Sequence, residues 1–476
     1  MKKIRLTIPL IASIVIIIAL CVGIVKAISS VNMNVFLKLA GDELQTDAFG
    51  HTNFLLLGTA GKNNDGADLT DTIIVASLDD EDKTLTMLSI PRDLYVKDEE
   101  VGNSKINEIY LNAKKYFDSS AEGVEYLKKK IEEIMGIPIH YWAKVNFDGF
   151  KELVDTLGGI DIEVENAIYD PYYPKDGTYN YETFQIPAGL HHMDGETALK
   201  YARSRKTTSD FDRAQRQQQI IYAIKEKALQ TEVILSQEKI KELLNTLKSN
   251  VETNIKIREI LTMGAIAGEY SQENISHRLI HDDPTQCGGF LYTPMREYYG
   301  GMFVLIPAGG EEFLHMYADM NFDYPLIAKE VARIHILNGT KTGGVAGEAK
   351  QILQRFCFEI NRFGNARNTD LEQTTYYYMQ KYDEKGDPID SRPVSLDFLE
   401  KLIPGIESTE IPQDYIDKGY FDQTDIILEI GGDYVNSDNY IDDPFYSLPA
   451  VAAPAVPAAP EASPETTPAE TSQNSQ

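Results

Sequence analysis

Apolar residues come in runs along this chain, and the length of each run indicates the element it can form. The first is an uncharged stretch from Leu6 to Val25, rich in Ile, Leu and Val and preceded by Lys2, Lys3 and Arg5. About 20 such residues span the hydrocarbon core of a bilayer as a helix. The basic flank holds that end in the cytoplasm, so the remainder is exported. Residues 1–28 therefore read as a cytoplasmic basic N-terminus and a single transmembrane helix, and 29–50 as a linker. A cleaved signal peptide ending near Val25-Lys26-Ala27 is the competing reading, although the apolar part of such a peptide is usually shorter.

Shorter runs follow. Asn53–Leu57, Thr72–Ala76 and Thr84–Ile90 have the length and apolar content of strands. A Gly-rich polar stretch, Gly58 to Asp68, separates the first two, and Asp79 to Lys83 forms a turn before the third. Pro91, which cannot donate to a ladder, ends that third run. Helical spacing then appears in Gly123–Met135, Phe147–Leu157 and Arg213–Leu229, with a strand at Gly159–Val164. This alternation predicts an α/β domain over 51–325. A second, small α/β unit over 330–436 opens with a strand at Ala332–Leu337. It continues through the loop Asn338–Gly344 and a helix at Val345–Phe358 to a late strand at Asp425–Ile430. Residues 437–476, most clearly from Leu448, are Pro, Ala, Ser, Thr and Glu with few large apolar groups and read as a disordered tail.

Charge narrows the function. Lys+Arg 45 against Asp+Glu 73 gives a net charge of -28, which argues against nucleic acid as a partner, since such binders neutralise phosphates with a basic face. Any anionic ligand must be gripped by a local arginine cluster working against the overall field. Cys21, Cys287 and Cys357 form no CxxC pair, so a structural zinc site is not expected. Cys287 and Cys357 are either a pair formed in an oxidising compartment or two buried thiols.

If the first three strands form an up-down-up meander, one sheet end carries Asp68 and Asp71 before the second strand and Arg92-Asp93 after the third. Carboxylate oxygens suit Mg²⁺, and guanidinium forks suit phosphate. Solvated loop residues would give the same pattern. The second cluster is denser: Arg203 and Arg205, then Arg213 and Arg216, with Gln217 one turn beyond Arg213. Arg213, Gln217, Ile220, Ile221 and Ile224 share a helix face by their spacing. A basic group beside an apolar stripe wants an anion, either a ligand phosphate or Asp210 and Asp212. Other features carry less. The loop Asn338–Gly344 precedes a helix without a P-loop pattern, His191-His192 reads as a loop pair rather than a metal site, and Tyr376-Tyr377-Tyr378 reads as strand surface.

The segments Leu69-Thr70-Asp71-Thr72, Ser89-Ile90-Pro91-Arg92-Asp93, Val154-Asp155-Thr156-Leu157-Gly158-Gly159-Ile160, Tyr201-Ala202-Arg203-Ser204-Arg205 and Arg213-Ala214-Gln215-Arg216-Gln217-Gln218 resemble, in order and spacing, the LytR-CpsA-Psr family over about residues 50–230. Ile334-His335-Ile336-Leu337-Asn338-Gly339-Thr340, with Gly431-Gly432-Asp433-Tyr434, resembles the LytR C-terminal domain.

The resemblance implies a three-layer α/β/α domain with a mixed central sheet. It further implies a phosphotransferase that moves a glycopolymer phosphate from a polyprenyl-pyrophosphate carrier to peptidoglycan or another envelope glycan acceptor. Carried over by motif, Arg92, Arg203, Arg205, Arg213 and Gln217 would bind the pyrophosphate. Asp71, Arg92, Arg203 and Arg205 would be catalytic. Asp71 and Asp68, with Asp65 as an alternative, would hold Mg²⁺ or Mn²⁺, and Asp71 could instead serve as base. Two departures stand out. Gly58-Thr59-Ala60-Gly61 lacks the carboxylate that many members place after the first strand, and Leu69 stands where an Arg is frequent. Two other functions stay open: a non-catalytic envelope scaffold that binds glycan, and a hydrolase that releases the lipid pyrophosphate to water.

Overall fold

A computed structural model describes residues 42–204 except 62–65 and 175–179, and 251–446 except 267–269, 271, 384, 386, 390 and 439. Between 205 and 250 it describes only Arg216, Gln219, Ile220, Ala223, Ile224 and Lys227, all helical. The N-terminal apolar run, Asp65, Arg205, Arg213, Gln217 and the chain beyond 446 lie outside the described residues. Among those described, no helix is long and apolar enough to cross a membrane.

Strands β1 (Thr52–Thr59), β2 (Thr70–Asp79) and β3 (Thr84–Ile90) form the expected antiparallel meander. Helices α1 (Ile106–Phe117) and α2 (Ser120–Met135) carry the chain to β4 (Tyr141–Asn146), which runs parallel beside β1. Next come α3 (Phe147–Thr156), β5 (Ile160–Val164), the hairpin β6 (Ile168–Pro174) and β7 (Tyr181–Ile186), β8 (Gly189–Met193) and α4 (Gly195–Arg203). Strand β9 (Val251–Thr253), helix α5 (Ile257–Ile266) and strand β10 (Ile275–Leu279) complete the first sheet, whose order is β9-β4-β1-β2-β3-β10 with mixed directions.

β1 is an unbroken apolar run because both of its faces are covered. Leu55, Leu57, Ile73 and Val75 pack with Ile109 and Tyr110 of α1 and Leu127 and Ile131 of α2. Phe54, Leu56, Ile74 and Met87 pack on the opposite face with Met263 of α5 and Tyr270. A separate apolar layer joins α3, β5 to β8 and α4.

Helix α6 (Glu312–Asp323) leads to a second sheet. It consists of β11 (Arg333–Asn338), β12 (Glu359–Asn365), β13 (Thr375–Tyr377), β14 (Ile406–Ser408) and β15 (Ile426–Ile430), ordered β12-β11-β15-β13-β14. Helices α7 (Val345–Arg355) and α8 (Ser395–Leu402) cover it. One continuous core links the two sheets: the Phe290 ring centre lies 4.9 Å from that of Phe356, which lies 5.7 Å from that of Phe398. Cys287 and Cys357 form a disulfide across the same junction.

Three expectations change. Residues 440–446 belong to the fold rather than to a tail, because Asp443 is buried and takes both terminal nitrogens of Arg355 at 2.8 and 2.7 Å. Tyr376 is core rather than strand surface, its hydroxyl reaching the Leu399 and Ile403 carbonyls. His191 and His192 lie on strand β8 rather than in a loop, with His192 Nδ1 2.6 Å from Asp161.

Candidate functional site

Register places the first carboxylate. Ile73 pairs with Ile90 across β2 and β3, so Asp71 and Arg92 fall opposite each other two residues further along. The β1–β2 register shifts between Gly58 and Thr59, which leaves Asp71 as the extra residue between paired Thr70 and Thr72. Bulges of this kind re-aim a side chain at a sheet end. Arg92 Nη1 donates to Asp71 Oδ1 at 2.9 Å, and Asn107 Nδ2, at the start of α1, donates to the same oxygen at 3.2 Å. Both partners of the ion pair are about a third exposed, 30% and 34%, and a pair so placed contributes little to stability, about 0–1 kcal/mol. Asp93 is tied to Lys105 at 2.6 Å and lies 3.7 Å from Arg92 Nε.

Asp68 faces α1. Lys114 Nζ donates to both its oxygens, at 2.9 and 2.8 Å. Burial works most strongly against the Lys114 charge, but its bond to Asp68 together with the charges of Tyr110, Asp68 and Glu252 outweighs it and holds the ammonium above its ordinary range. The Tyr110 ring centre lies 5.9 Å from Lys114 Nζ and 4.5 Å from Lys144 Nζ. Lys144 is 7% exposed and is matched by Glu252 at 2.8 Å and Ser120 at 3.0 Å. Desolvation pushes the Glu252 carboxyl up, yet Lys144 and Ser120 bring it below its usual range.

Arg203 is the last residue of α4. Asp194 caps that helix by accepting from Thr197 N, and Gly195 N donates to Asp155 Oδ1 at 2.7 Å. Gly195 is required here, since a Cβ would stand 2.2 Å from the Lys151 carbonyl of α3. At the other end, Arg216 Nε and Nη2 donate to the Tyr201 and Ser204 carbonyls at 3.1 and 2.8 Å and fix the helix terminus. The Arg203 guanidinium lies 4.3 Å from the Phe147 ring centre and 5.4 Å from that of Tyr173, and Nη1 donates to the Tyr173 hydroxyl at 3.0 Å. Phe147 directly follows Asn146, the β4 partner of Thr59 in β1. Thr59 in turn pairs with Thr70 beside Asp71. Arg203 therefore sits at the same sheet end as Asp71 and Arg92, two strands from the first and three from the second; neighbouring strands lie roughly 5 Å apart.

The structure thus joins Asp71 to Arg92 directly and sets Arg203 at the same end, while Asp68 turns to Lys114. Sequence reading missed Asn107 and Lys114 because it did not resolve α1. Its signal is present: Ile106, Ile109, Tyr110 and Ala113 repeat at i, i+3, i+4 and i+7. Phe147 and Tyr173 had no signal, since they meet Arg203 from elements distant in sequence.

Fold and site together define a mixed-sheet α/β protein with a carboxylate–arginine pair and an aromatic-flanked arginine at one end of its sheet. The chain belongs to the LytR_cpsA_psr family, whose model matches residues 26–298, more than half its length. Residues 332–434 match a second model, described as LytR cell envelope-related transcriptional attenuator. Among curated relatives, the polyisoprenyl-teichoic acid–peptidoglycan teichoic acid transferase TagV of Bacillus subtilis is 34% identical over 236 residues, 48% of this chain and 55% of that protein. The chain thus spans little more than half the length of that relative. TagU of Bacillus licheniformis, a transferase of the same description, is 30% identical over 240 residues, 50% of this chain and 71% of that protein. The crystal structure of Bacillus subtilis TagV is 28% identical, covering 57% of this chain and 97% of that one, with a TM-score of 0.42.

Proposed function

We propose that this protein is a membrane-anchored phosphotransferase that moves a glycopolymer phosphate from a polyprenyl-pyrophosphate carrier to peptidoglycan or a similar envelope acceptor. The observation that carries the reading is the placement of Asp71, Arg92 and Arg203 at one sheet end in a chain of net charge -28. Membership of the family and the transferase descriptions of TagV and TagU support it. The disulfide agrees with export, since such bonds persist in oxidising compartments. Residues 6–25 would anchor the chain.

In this reaction the acceptor hydroxyl oxygen bonds to the glycan-linked phosphorus, the bond from that phosphorus to the bridging oxygen breaks, and polyprenyl phosphate leaves. Phosphoryl transfer depends on positioning and charge neutralisation more than on covalent help. Arg92 would grip the phosphate under attack. Arg203, with Arg205, Arg213 and Gln217, would take up charge on the leaving phosphate, and Asp71 or Asp93 would orient the hydroxyl and receive its proton. The apolar layer around α3 and α4 would border the polyprenyl chain.

Among the described residues no group of three or more His, Cys, Asp or Glu is placed to hold a metal ion. The side chains at this sheet end would suit Mg²⁺ or Mn²⁺ held mainly by the substrate's own phosphates with one or two carboxylates. Asp71 is the first candidate, and Asp68 would have to leave Lys114. Such an ion would neutralise phosphate charge. The scaffold reading draws on the missing carboxylate after β1.

An assay with a polyprenyl-pyrophosphate-linked glycan, with and without peptidoglycan, separates the readings. A transferase releases lipid phosphate only with acceptor, a hydrolase releases it without, and a scaffold releases none. Arg203→Ala should abolish transfer with the fold intact, and full activity in that variant would discard the assignment.

A further inference from the structure

We propose that Asn107 is a positioning residue for the transfer reaction, holding the Asp71 carboxylate against Arg92; the inference rests on the transferase reading. Asn107 is 6% exposed at the start of α1. Its main chain is fastened at two points: Asn107 N donates to the Arg92 carbonyl at 3.4 Å, and its own carbonyl accepts from Thr70 Oγ1 at 3.3 Å. These bonds reach the residue beside Asp71 on one side and Arg92 itself on the other. The side chain completes the set, with Nδ2 donating to Asp71 Oδ1 at 3.2 Å. Asp71 therefore receives two donors on one oxygen, from the loop after β3 and from α1.

A second observation separates positioning from packing. Asn107 Oδ1 is buried and, among the described residues, has no hydrogen-bond partner. Leaving a buried acceptor unbonded is unfavourable, and an apolar side chain at the same place would avoid that cost. The amide thus stands where stability alone would disfavour it, and its Nδ2 contact is what it contributes. A carboxylate that must orient a hydroxyl for in-line attack loses rate when it can swing, because reactive alignment tolerates little misplacement.

The test is steady-state transfer by the full-length protein in membranes or detergent, using a polyprenyl-pyrophosphate-linked glycan and peptidoglycan, with Asn107→Ala and the near-isosteric Asn107→Leu. Both should lower kcat about 10- to 100-fold while KM for the lipid donor stays within about twofold. A role confined to packing predicts that Asn107→Leu, which keeps the shape and adds no charge beside Asp71, retains wild-type kcat, and that result would overturn the proposal. So would unchanged kcat in both. Should the Ala variant fail to fold, the Leu variant alone decides. Arg92→Ala and Arg203→Ala run alongside: if these keep full transfer, the transferase site itself is misassigned, whereas if they lose it and Asn107→Leu does not, only the role of Asn107 falls.

Discussion

Two arginine–carboxylate pairs sit in this molecule in opposite circumstances. Arg92–Asp71, at the end of the first sheet, is 30% and 34% exposed and bonded through one oxygen. Arg355–Asp443, at the junction of the two sheets, is 2% and 0% exposed and bonded through both. The junction pair has further ties: Arg355 Nε donates to the Pro284 carbonyl at 2.8 Å, the Arg355 carbonyl accepts from Gly288 N at 2.8 Å, and the Cys287–Cys357 disulfide closes beside it. The same chemistry holds the fold together at one place and faces solvent at the other. Burial, rather than residue type, marks which pair is structural and which one solvent reaches.

The sharpest way to break this contrast is to remove one partner from each pair. Arg355→Ala should destabilise the protein by about 3–5 kcal/mol, because Asp443 would be left buried and unpaired. Chemical denaturation of a chain starting at residue 42 measures this, and a loss under about 1 kcal/mol would contradict the structural role. Arg92→Ala should leave stability within about 1 kcal/mol while cutting transfer about 100- to 1000-fold, the range for losing a charge-stabilising donor. Tyr173→Phe deletes the hydroxyl that accepts from Arg203 but keeps the ring; transfer should fall roughly tenfold, since bonds to charged groups are worth about 1.5–3 kcal/mol. An unchanged rate would show that ring packing alone orients Arg203.

Acid should weaken both sheets together. His277 in β10 and His335 in β11 are each brought down to about 4, by burial first and then by Arg278 and Arg362 respectively. Both are neutral in the folded protein, whereas the unfolded chain takes up their protons below pH 6.5. The stability they contribute is present above pH 6.5 and is lost as pH falls from 6.5 toward 4. A Tm measured across that window should decline, and the decline should shrink in the His277→Gln variant. The smallest effect belongs to the exposed pair Lys341–Asp370, 74% and 75% exposed. Lys341→Ala should change stability by less than about 0.5 kcal/mol.

The meander was legible because apolar runs of strand length, bounded by a Gly-rich stretch and Pro91, leave few alternatives, and its register then carried Asp71 to Arg92. Arg203 was legible only as one of a cluster in an acidic chain. What holds it, Phe147 and Tyr173, depends on how α3 and the β6–β7 hairpin fold back, and neither residue announces that in sequence. Asn107 was hidden for another reason: α1 follows a pair of two-residue strands, Tyr95–Val96 and Ser104–Lys105, too short to frame it in sequence. The tail was placed too early because Asp443 looks like any surface acid until Arg355, 88 positions away, is seen to bury it.

The central claim is that Arg92 and Arg203, which approach from opposite sides of one sheet end, grip a single diphosphate. A crystal structure of the protein with a short-chain polyprenyl pyrophosphate tests this most directly. The account predicts the diphosphate oxygens within hydrogen-bonding distance of both guanidinium groups, with Asp71 beside the phosphate distal to the lipid. A diphosphate bound elsewhere, or touching only one of the two arginines, would contradict it.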